Sequence, residues 1–462
     1  MPANPVPAPV FGSTTLSNLL QTSAVGFNWS EGFHIYCELR PKIALEIGEG
    51  DERALKFVQV IEEYTNHGIN TAEPFRIVLL ELQGTVLHFY FEESLTRDTI
   101  IKAIQFSYIF TSALYEELRS DLGSEWDGFA TCIDYGPAII VRHESAGVAS
   151  VVSLGPAANR PAKRLLYGRT PAGCVDVPGR WAKEFGKTES GAWFTINLLN
   201  RDQFPFINQM DDVVLRRDLL DRVRRFRADQ KRPRISSLEK ANKFNGFCVQ
   251  ADLDGFSAVV DQAFSSGAKA VEATAIGFKQ ILEFGDHMRN STPGTIGLPW
   301  AGDRAPTLVS KNIWFTFSMR WQGYDAGAAH GKSWATLFKN VAWSIGGCHG
   351  RTGTNILVPI QAQGRRFLVA GGWPVATSLD AQNLGTGGDV VTHNADYANL
   401  DAPTRSLFSK ITNTEFWKTK EPTPDKLKKA AVDQGKTNPR TGADYLSKIA
   451  SVTIPAPRPH SW

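Results

Sequence analysis

An α+β fold built twice in tandem is what this sequence predicts, and three observations predict it. Each half alternates strand-like and helix-like stretches in the order β, α, β, β, α, β. Both halves place a turn signal between the second and third strands. Landmarks also stay in register: Glu38 with Asp252 at a spacing of 214, Thr85 with Asp303 at 218, and Gly136 with Gly350 at 214. Spacings that close are the signature of a diverged duplication. The βαββαβ order is that of a ferredoxin-like domain, with helices packed on one face of an antiparallel sheet.

The elements follow in chain order. Residues 1–25 begin Pro/Ala-rich and are expected to be a flexible N-terminus. The first domain, 26–205, opens with the strand "GFHIYCELR". The stretch "DERALKFVQVIEEYTNHG" carries Leu55, Val58 and Ile61 on one helical face, with Gly68 as its expected stop. "FRIVLLELQGTVLHFYF" reads as a hairpin turning at Gln83-Gly84-Thr85. A helix from about Arg97 to Ser120 and the strands "GFATCIDYGPAIIVR" and "ASVVSLGP" complete the run.

Residues 206–242 read as a basic linker helix, either a solvated connector or a surface for phosphate or a partner. The second domain, 243–420, repeats the plan with the strand "GFCVQADLDGF", the helix "GAKAVEATAIGFKQILEFGDHM" and a hairpin expected around Gly302-Asp303. Residues 421–462, rich in Lys and Pro, are expected to be a mobile tail.

Composition narrows the function classes. A formal charge of +3 over 462 residues gives no whole-molecule field for nucleic acid or an anionic membrane. No window supplies the roughly 18 uninterrupted apolar residues of a membrane span, and the N-terminus lacks a signal-peptide pattern. Five widely spaced cysteines with no CxxC pair suit free thiols in a reducing, cytoplasmic compartment.

The chemistry-bearing residues gather in two motifs. "QADLDGFSAVV" sets Asp252 at the end of an apolar strand and follows it with Gly255-Phe256-Ser257. Asp303, expected on the neighbouring hairpin, would bring a second carboxylate to the same sheet edge. Two hard oxygen ligands suit Mg²⁺ bound to a triphosphate, and Gly255 would let turn amides approach the phosphates.

This arrangement resembles the class III nucleotidyl cyclases. "DLDGFS" fits their metal-binding strand D-[IL]-x-G-F-[ST], and "AGDRA" fits the aspartate after their hairpin glycine. "SLGPAANRPAKRLL" resembles their segment G-x-x-[VA]-N-x-x-x-[RK]. The resemblance implies that Asp252 and Asp303 hold two Mg²⁺ or Mn²⁺ ions, that Asn159 orients the ribose, and that Lys163 balances charge on the α-phosphate. Lysine offers only a point charge where arginine would bind in two places, so Arg160 and Arg164 stand as alternatives. It further implies triphosphate contacts at Leu253, Gly255, Phe256, Ser257 and Lys187.

Each half lacks what the other has. Glu38 is followed by Leu39-Arg40-Pro41 instead of a glycine turn, Thr85 replaces the second aspartate, and "WPVATSLDAQ" lacks both Asn and the basic residue. The halves are therefore expected to form an intramolecular pseudo-heterodimer with one live site, as a monomer or a further homo-oligomer. The reaction the resemblance implies is attack of the ribose 3′-hydroxyl on the α-phosphorus of a nucleoside triphosphate, expelling pyrophosphate.

Base recognition falls by the same resemblance at Glu81 and Val152. Glu81 can accept a hydrogen bond from a base or form a salt bridge across the sheet; Val152 can do neither. This half-matched pocket looks most like the bacterial Pycsar pyrimidine cyclases, which implies a cyclic CMP or cyclic UMP product read by a downstream effector in anti-phage defence. A purine cyclase, a silent nucleotide-binding pseudocyclase and, from Gly387-Gly388-Asp389, a diguanylate cyclase are the alternatives.

Overall fold

In the computed structural model the described residues are 16–21, 26–41, 51–198 apart from 84, 123–125, 146–147 and 190, then 242–244, 247–254, 256–291, 306–309, 312–317, 342–349, 355–362, 365–371 and 373–420 apart from 386–388, 399 and 401. Gly255, Asp303, nearly all of the expected linker helix and the expected tail lie outside them.

A short helix α1 (Leu16–Gln21) precedes strand β1 (Gly26–Pro41) and helix α2 (Asp51–Ala72). Then come β2 (Val78–Gln83), β3 (Val86–Phe91), α3 (Arg97–Leu122), β4 (Trp126–Ser145) and β5 (Val148–Leu154). Helix α4 (Pro156–Leu166), β6 (Cys174–Pro178) and β7 (Trp193–Asn197) close the unit. Its sheet runs β2-β3-β1-β4-β6-β7, with β5 paired to β4. The β2-β3-β1-β4 heart is antiparallel, as expected of the βαββαβ plan, and β6 joins β4 in parallel.

Alternation along β1 decides which face is core. Phe33, Ile35, Cys37 and Leu39 are buried in one cluster with Ile61 and Tyr64 of α2 and Ile104 and Phe110 of α3. Each such side chain contributes roughly 1.5–3 kcal/mol by leaving water. His34, Tyr36 and Glu38 therefore point to the opposite face, where α4 lies. Gly68 does not stop α2, which runs on to Ala72. A β-carbon at Gly68 would stand 2.6 Å from Phe89, so the glycine lets α2 approach β3 closely. The helix ends in a short 3₁₀ turn that carries Pro74 and closes at Arg76, which takes a left-handed φ of 57°.

The second unit contains β8 (Asn242–Phe244), β9 (Phe247–Asp254), α5 (Phe256–Ser266), α6 (Ala268–Ser291), β10 (Pro306–Val309) and β11 (Asn312–Phe317). It continues with β12 (Ala342–His349), β13 (Asn355–Ala362), β14 (Arg365–Gly371), α7 (Trp373–Asn383) and β15 (Val390–His393). Helices α8 (Asn394–Tyr397) and α9 (Ala402–Arg405) and strands β16 (Phe408–Lys410) and β17 (Phe416–Thr419) follow. Its main sheet has the order β10-β11-β9-β12-β15-β17-β16, which matches the first sheet strand for strand up to its last member. Where β1 and β4 are long and unbroken, the second unit splits each in two, and β8 and β13 pair in a separate sheet with β14.

The expected hairpin around Gly302-Asp303 is corrected. Val309 pairs with Asn312, so the connection between β10 and β11 falls at 310–311, and Asp303 precedes β10. The dipeptide Gly302-Asp303 is the stronger turn signal in sequence, whereas Ser310-Lys311 carries no glycine or asparagine to announce a turn. Pro306 fits the first position of a strand because it has no N–H to offer the ladder.

The two units share packing. Phe367 of β14 is buried in the core cluster of the first unit. Its neighbour Arg365 is buried and donates to the carbonyls of Leu79 and Leu80 on β2. On the other side Trp29 of β1 stacks on Phe264 of α5, ring centres 5.5 Å apart.

Candidate functional site

Helix α4 carries Asn159 and Lys163, one turn apart and so on neighbouring positions of one helix face. Two glycines let it seat on β4. A β-carbon at Gly155 would lie 2.6 Å from the Pro137 carbonyl oxygen, and one at Gly136 would lie 3.1 Å from Ala157. The glycine that opens the motif is thus demanded by the close approach of helix and strand. Pro161 sits inside α4 and removes one helical hydrogen bond, a change that costs an isolated helix about 3 kcal/mol.

Two ion pairs hold the helix down. Arg160 Nε lies 2.7 Å from Asp134 Oδ2 of β4, and Arg164 Nε lies 2.6 Å from Asp176 Oδ2 of β6. Asp176 also accepts from the hydroxyls of Thr170, at 2.8 Å, and Thr195. Asp134 is reached by Arg180 at 3.5 Å and by the Tyr135 amide at 2.8 Å. Burial nevertheless pushes the Asp134 carboxyl above its ordinary value, with Arg160 pulling the other way. Apolar contacts among Leu165, Tyr36, Ala130 and Cys132 complete the seat.

These partners sort the basic residues. Arg160 and Arg164 are committed to carboxylates, while Lys163 is exposed. Asn159 is buried, and its backbone amide donates to Gly155. Lys187 is exposed just past the left-handed Gly186, which ends the 3₁₀ stretch Gly179–Phe185.

Asp252, expected from sequence to be a metal ligand, lies two residues from the end of β9 and stands opposite Ser344 of β12. Its counterpart by register is Glu38, whose neighbours Val86 and Ala130 occupy the same places in β3 and β4. Leu253 pairs with Trp343, and Phe256 and Ser257 open α5 directly after the strand. The Phe256 ring is core, stacked on Phe278 at 5.6 Å, so only its backbone faces outward chemistry. Helices α4 and α5 touch, which brings the helix of Asn159 and Lys163 against the helix that follows Asp252.

In the first unit the position that corresponds to Asp252 is taken up by an ion pair. Arg40 Nε lies 2.7 Å from Glu38 Oε2, and Arg40 Nη1 also reaches the Thr170 carbonyl at 2.5 Å. The Leu39 amide donates to Thr85, so this strand and hairpin do converge, on an internal ion pair. Among the described residues there is no group of three or more His, Cys, Asp or Glu placed to hold a metal ion.

The expected base pair Glu81 and Val152 is not brought together. Glu81 stands opposite His88, on the face of Tyr36, and His88 Nδ1 is 3.4 Å from Glu81 Oε2. His88 in turn stacks on Tyr36 at 4.0 Å and meets His34 at 3.1 Å. Val152 pairs with Val141 and points to the opposite side of the sheet, whereas its neighbour Ser153, opposite Ile140, points to the Glu81 side. The sequence signal for this was the strand alternation itself. Asp134, Asp176, His88 and Arg365 were also missed; a lone Asp inside "TCIDYG" or "CVDVP" marks a buried acid only if a partner is sought for it.

By sequence the chain matches no family model and no curated protein. Its fold is that of class III cyclase-like proteins. The structure is similar to a class III adenylyl cyclase-like ATP-binding protein from Pseudomonas aeruginosa, with a TM-score of 0.65 at 16% identity, covering 87% of this chain and 91% of that one. A guanylyl cyclase matches with TM-score 0.29 at 14% identity, over 34% of this chain and 79% of its own. An adenylyl cyclase from P. aeruginosa matches with 0.29 at 12%, over 35% and 82%. The first of these likenesses spans both units and establishes the fold.

Proposed function

We propose that the chain is a nucleotidyl cyclase with one split site, built from α4 of the first unit and the β9–α5 junction of the second. The observation that carries this reading is the contact between α4 and α5, combined with the Arg40–Glu38 pair that closes the alternative site. Asp252 and Asp303 offer the oxygen donors that Mg²⁺ or Mn²⁺ prefers, and such ions would neutralise charge on the triphosphate. Asn159 would orient the ribose and Lys163, exposed and outside the ion pairs, would face the α-phosphate. Leu253, Gly255, Phe256 and Ser257 would lend backbone amides to the phosphates, and Lys187 a further positive charge.

The finer reading is a pyrimidine substrate, UTP or CTP, and a cyclic product that serves a separate effector in anti-phage defence in the cytoplasm. Among the described residues no helix is long and apolar enough to cross a membrane. A second reading, a nucleotide-binding protein without turnover, is favoured by the position of Asp303 ahead of β10 and by the name of the P. aeruginosa neighbour, an ATP-binding protein.

One assay separates these readings. Wild type, Asp252→Ala, Asp303→Ala and Asn159→Ala are each incubated with ATP, GTP, CTP or UTP and Mn²⁺, and cyclic nucleotide and pyrophosphate are measured. The cyclase reading expects one preferred base and loss in all three variants. Nucleotide binding without pyrophosphate release supports the second reading, and activity that survives Asp303→Ala removes that residue from the metal site.

A further inference from the structure

Trp373 and Asp380 stand two helical turns apart on α7 and therefore on one face of it. Together with His393 at the end of β15 and Asn413, Glu415 and Phe416 at the turn from β16 into β17, they line a cleft of about 520 Å³. That volume is in the range of small-molecule sites, about 300–1,000 Å³. We propose that this cleft binds a small organic cation, an alkylammonium or a guanidinium, held by two carboxylates between two aromatic rings; the proposal does not depend on the cyclase reading.

The turn that forms one wall is held by its own backbone. His393 pairs with Phe416, the Asn394 amide donates to the Glu415 carbonyl at 2.7 Å, and Asn413 takes a left-handed φ of 59°, which asparagine tolerates. The rings of Trp373 and Phe416 both meet the His393 ring edge-on, with centres 5.0 and 5.3 Å away. His393 Nδ1 accepts from the Ala395 amide at 3.2 Å, which leaves the ring proton on Nε2, 3.1 Å from Glu415 Oε2. The imidazole therefore reaches Glu415 as a neutral donor, and both of its nitrogens are engaged.

Charge decides what fits. Asp380 makes no ion pair among the described residues, and partial burial raises its carboxyl above its ordinary value. No lysine or arginine is in the lining among the described residues. Two carboxylates without a countercharge repel phosphates and attract a cation. A metal ion does not fit, because among the described residues no group of three or more His, Cys, Asp or Glu is placed to hold one. An ammonium or guanidinium does: its N–H groups can donate to Asp380 and Glu415 while the charge or its alkyl stem lies against the Trp373 and Phe416 rings. Helix α4 holds the same place between strands in the first unit and carries Arg160, Lys163 and Arg164, whereas α7 carries Asp380 and no basic residue. The polarity of the helix is reversed, so the cleft is not a second copy of a phosphate site.

The test uses the full chain, titrated calorimetrically with putrescine and with agmatine and set against butanediol as the neutral analogue. A cation should bind once per chain, and the diol should not bind. Asp380→Asn should weaken the cation about 10-fold and hold the thermal midpoint, since Asp380 has no ionic partner to lose. Glu415→Gln, at the rim, should weaken it about 3-fold, and Phe416→Leu, which removes a ring face, about 3-fold. Glu189→Gln, at an exposed acid of the first unit, should change nothing. Failure of both cations to bind, equal binding of the diol, or an affinity unchanged in Asp380→Asn overturns the proposal. An equal loss in Glu189→Gln also overturns it, because it marks a general attraction of cations to the surface. None of these outcomes touches the nucleotide reading, which the four-triphosphate assay tests by itself.

Discussion

Glu38 and Arg40 sit two residues apart on β1 and therefore on one face of the strand, where their side chains form an ion pair of 2.7 Å. The pair occupies the register position that Asp252 holds in β9. Burial pushes the Glu38 carboxyl above its ordinary value and Arg40 draws it back, so the strand end neutralises itself without an external cation. The two halves should then respond differently to the loss of one charge. On the proposed cyclase reading, Glu38→Gln should leave turnover within about 2-fold, while Asp252→Asn should lower it by about 100-fold or more, because electrostatic stabilisation of phosphate would be lost only at the second. Initial rates of pyrophosphate release on the preferred triphosphate check this. Equal losses in both variants would mean that both strand ends serve the reaction.

Asp134 gives a prediction about pH. Burial outweighs Arg160 and Arg180, so the folded chain holds the Asp134 proton more tightly than the unfolded chain does. Where the native state binds more protons, stability falls as pH rises. The window opens just above the ordinary aspartate value of 3.8 and extends upward through the raised native one. Over about pH 4 to 7, the melting temperature of wild type minus that of Asp134→Asn should therefore decrease as pH rises. A difference that grows instead would show the two arginines prevailing over burial.

The β2-β3-β1-β4 heart of the first sheet was legible because alternation and turn signals are local, whereas β6, β7, β13 and β15 to β17 were not anticipated. The repeat was legible for the same reason: Glu38 and Asp252 hold matching places in β1 and β9. What escaped was decided by distant partners. Gly68 reads as a helix stop until Phe89 is seen to need the space, and Gly302-Asp303 reads as a hairpin until Val309 is found opposite Asn312. The site shows the same division. The segment of α4 stands out by its motif, whereas the pairing of Arg160 with Asp134 and of Arg164 with Asp176 depends on which strand lies under α4.

Cys37 should be chemically silent in the folded protein. It is buried in the first core, and burial pushes its thiol up to about 12 despite the Thr131 hydroxyl donating to its sulfur at 3.6 Å. At pH 8 only about one molecule in ten thousand would carry the thiolate, the form that reacts. Iodoacetamide followed by peptide mapping should find the Cys37 peptide unlabelled in native buffer and fully labelled in guanidinium chloride. Labelling under native conditions would show that α2 and α3 open away from β1 on the timescale of the reaction.

Arg365 couples the two units, and its removal should separate them. The side chain leaves β14, is buried against β2, lies over Phe367 at 4.9 Å and donates to the carbonyls of Leu79 and Leu80. Those carbonyls flank the register shift between Leu79 and Glu81, where a strand bulge frees backbone oxygens from the ladder. Burial, together with the like charge of Arg142, lowers the Arg365 pKa, so its charge is held at a cost that the carbonyl contacts offset. Hydrogen bonds to a charged group contribute about 1.5–3 kcal/mol each. Arg365→Ala should therefore destabilise the chain by about 3 kcal/mol and split a single urea transition into two, as the shared core at Phe367 loosens before either sheet unfolds. Arg365→Lys, which keeps the charge but reaches only as a point donor, should recover part of the loss. A single transition of unchanged midpoint in Arg365→Ala would show that the apolar contacts of Phe367 alone hold the units together.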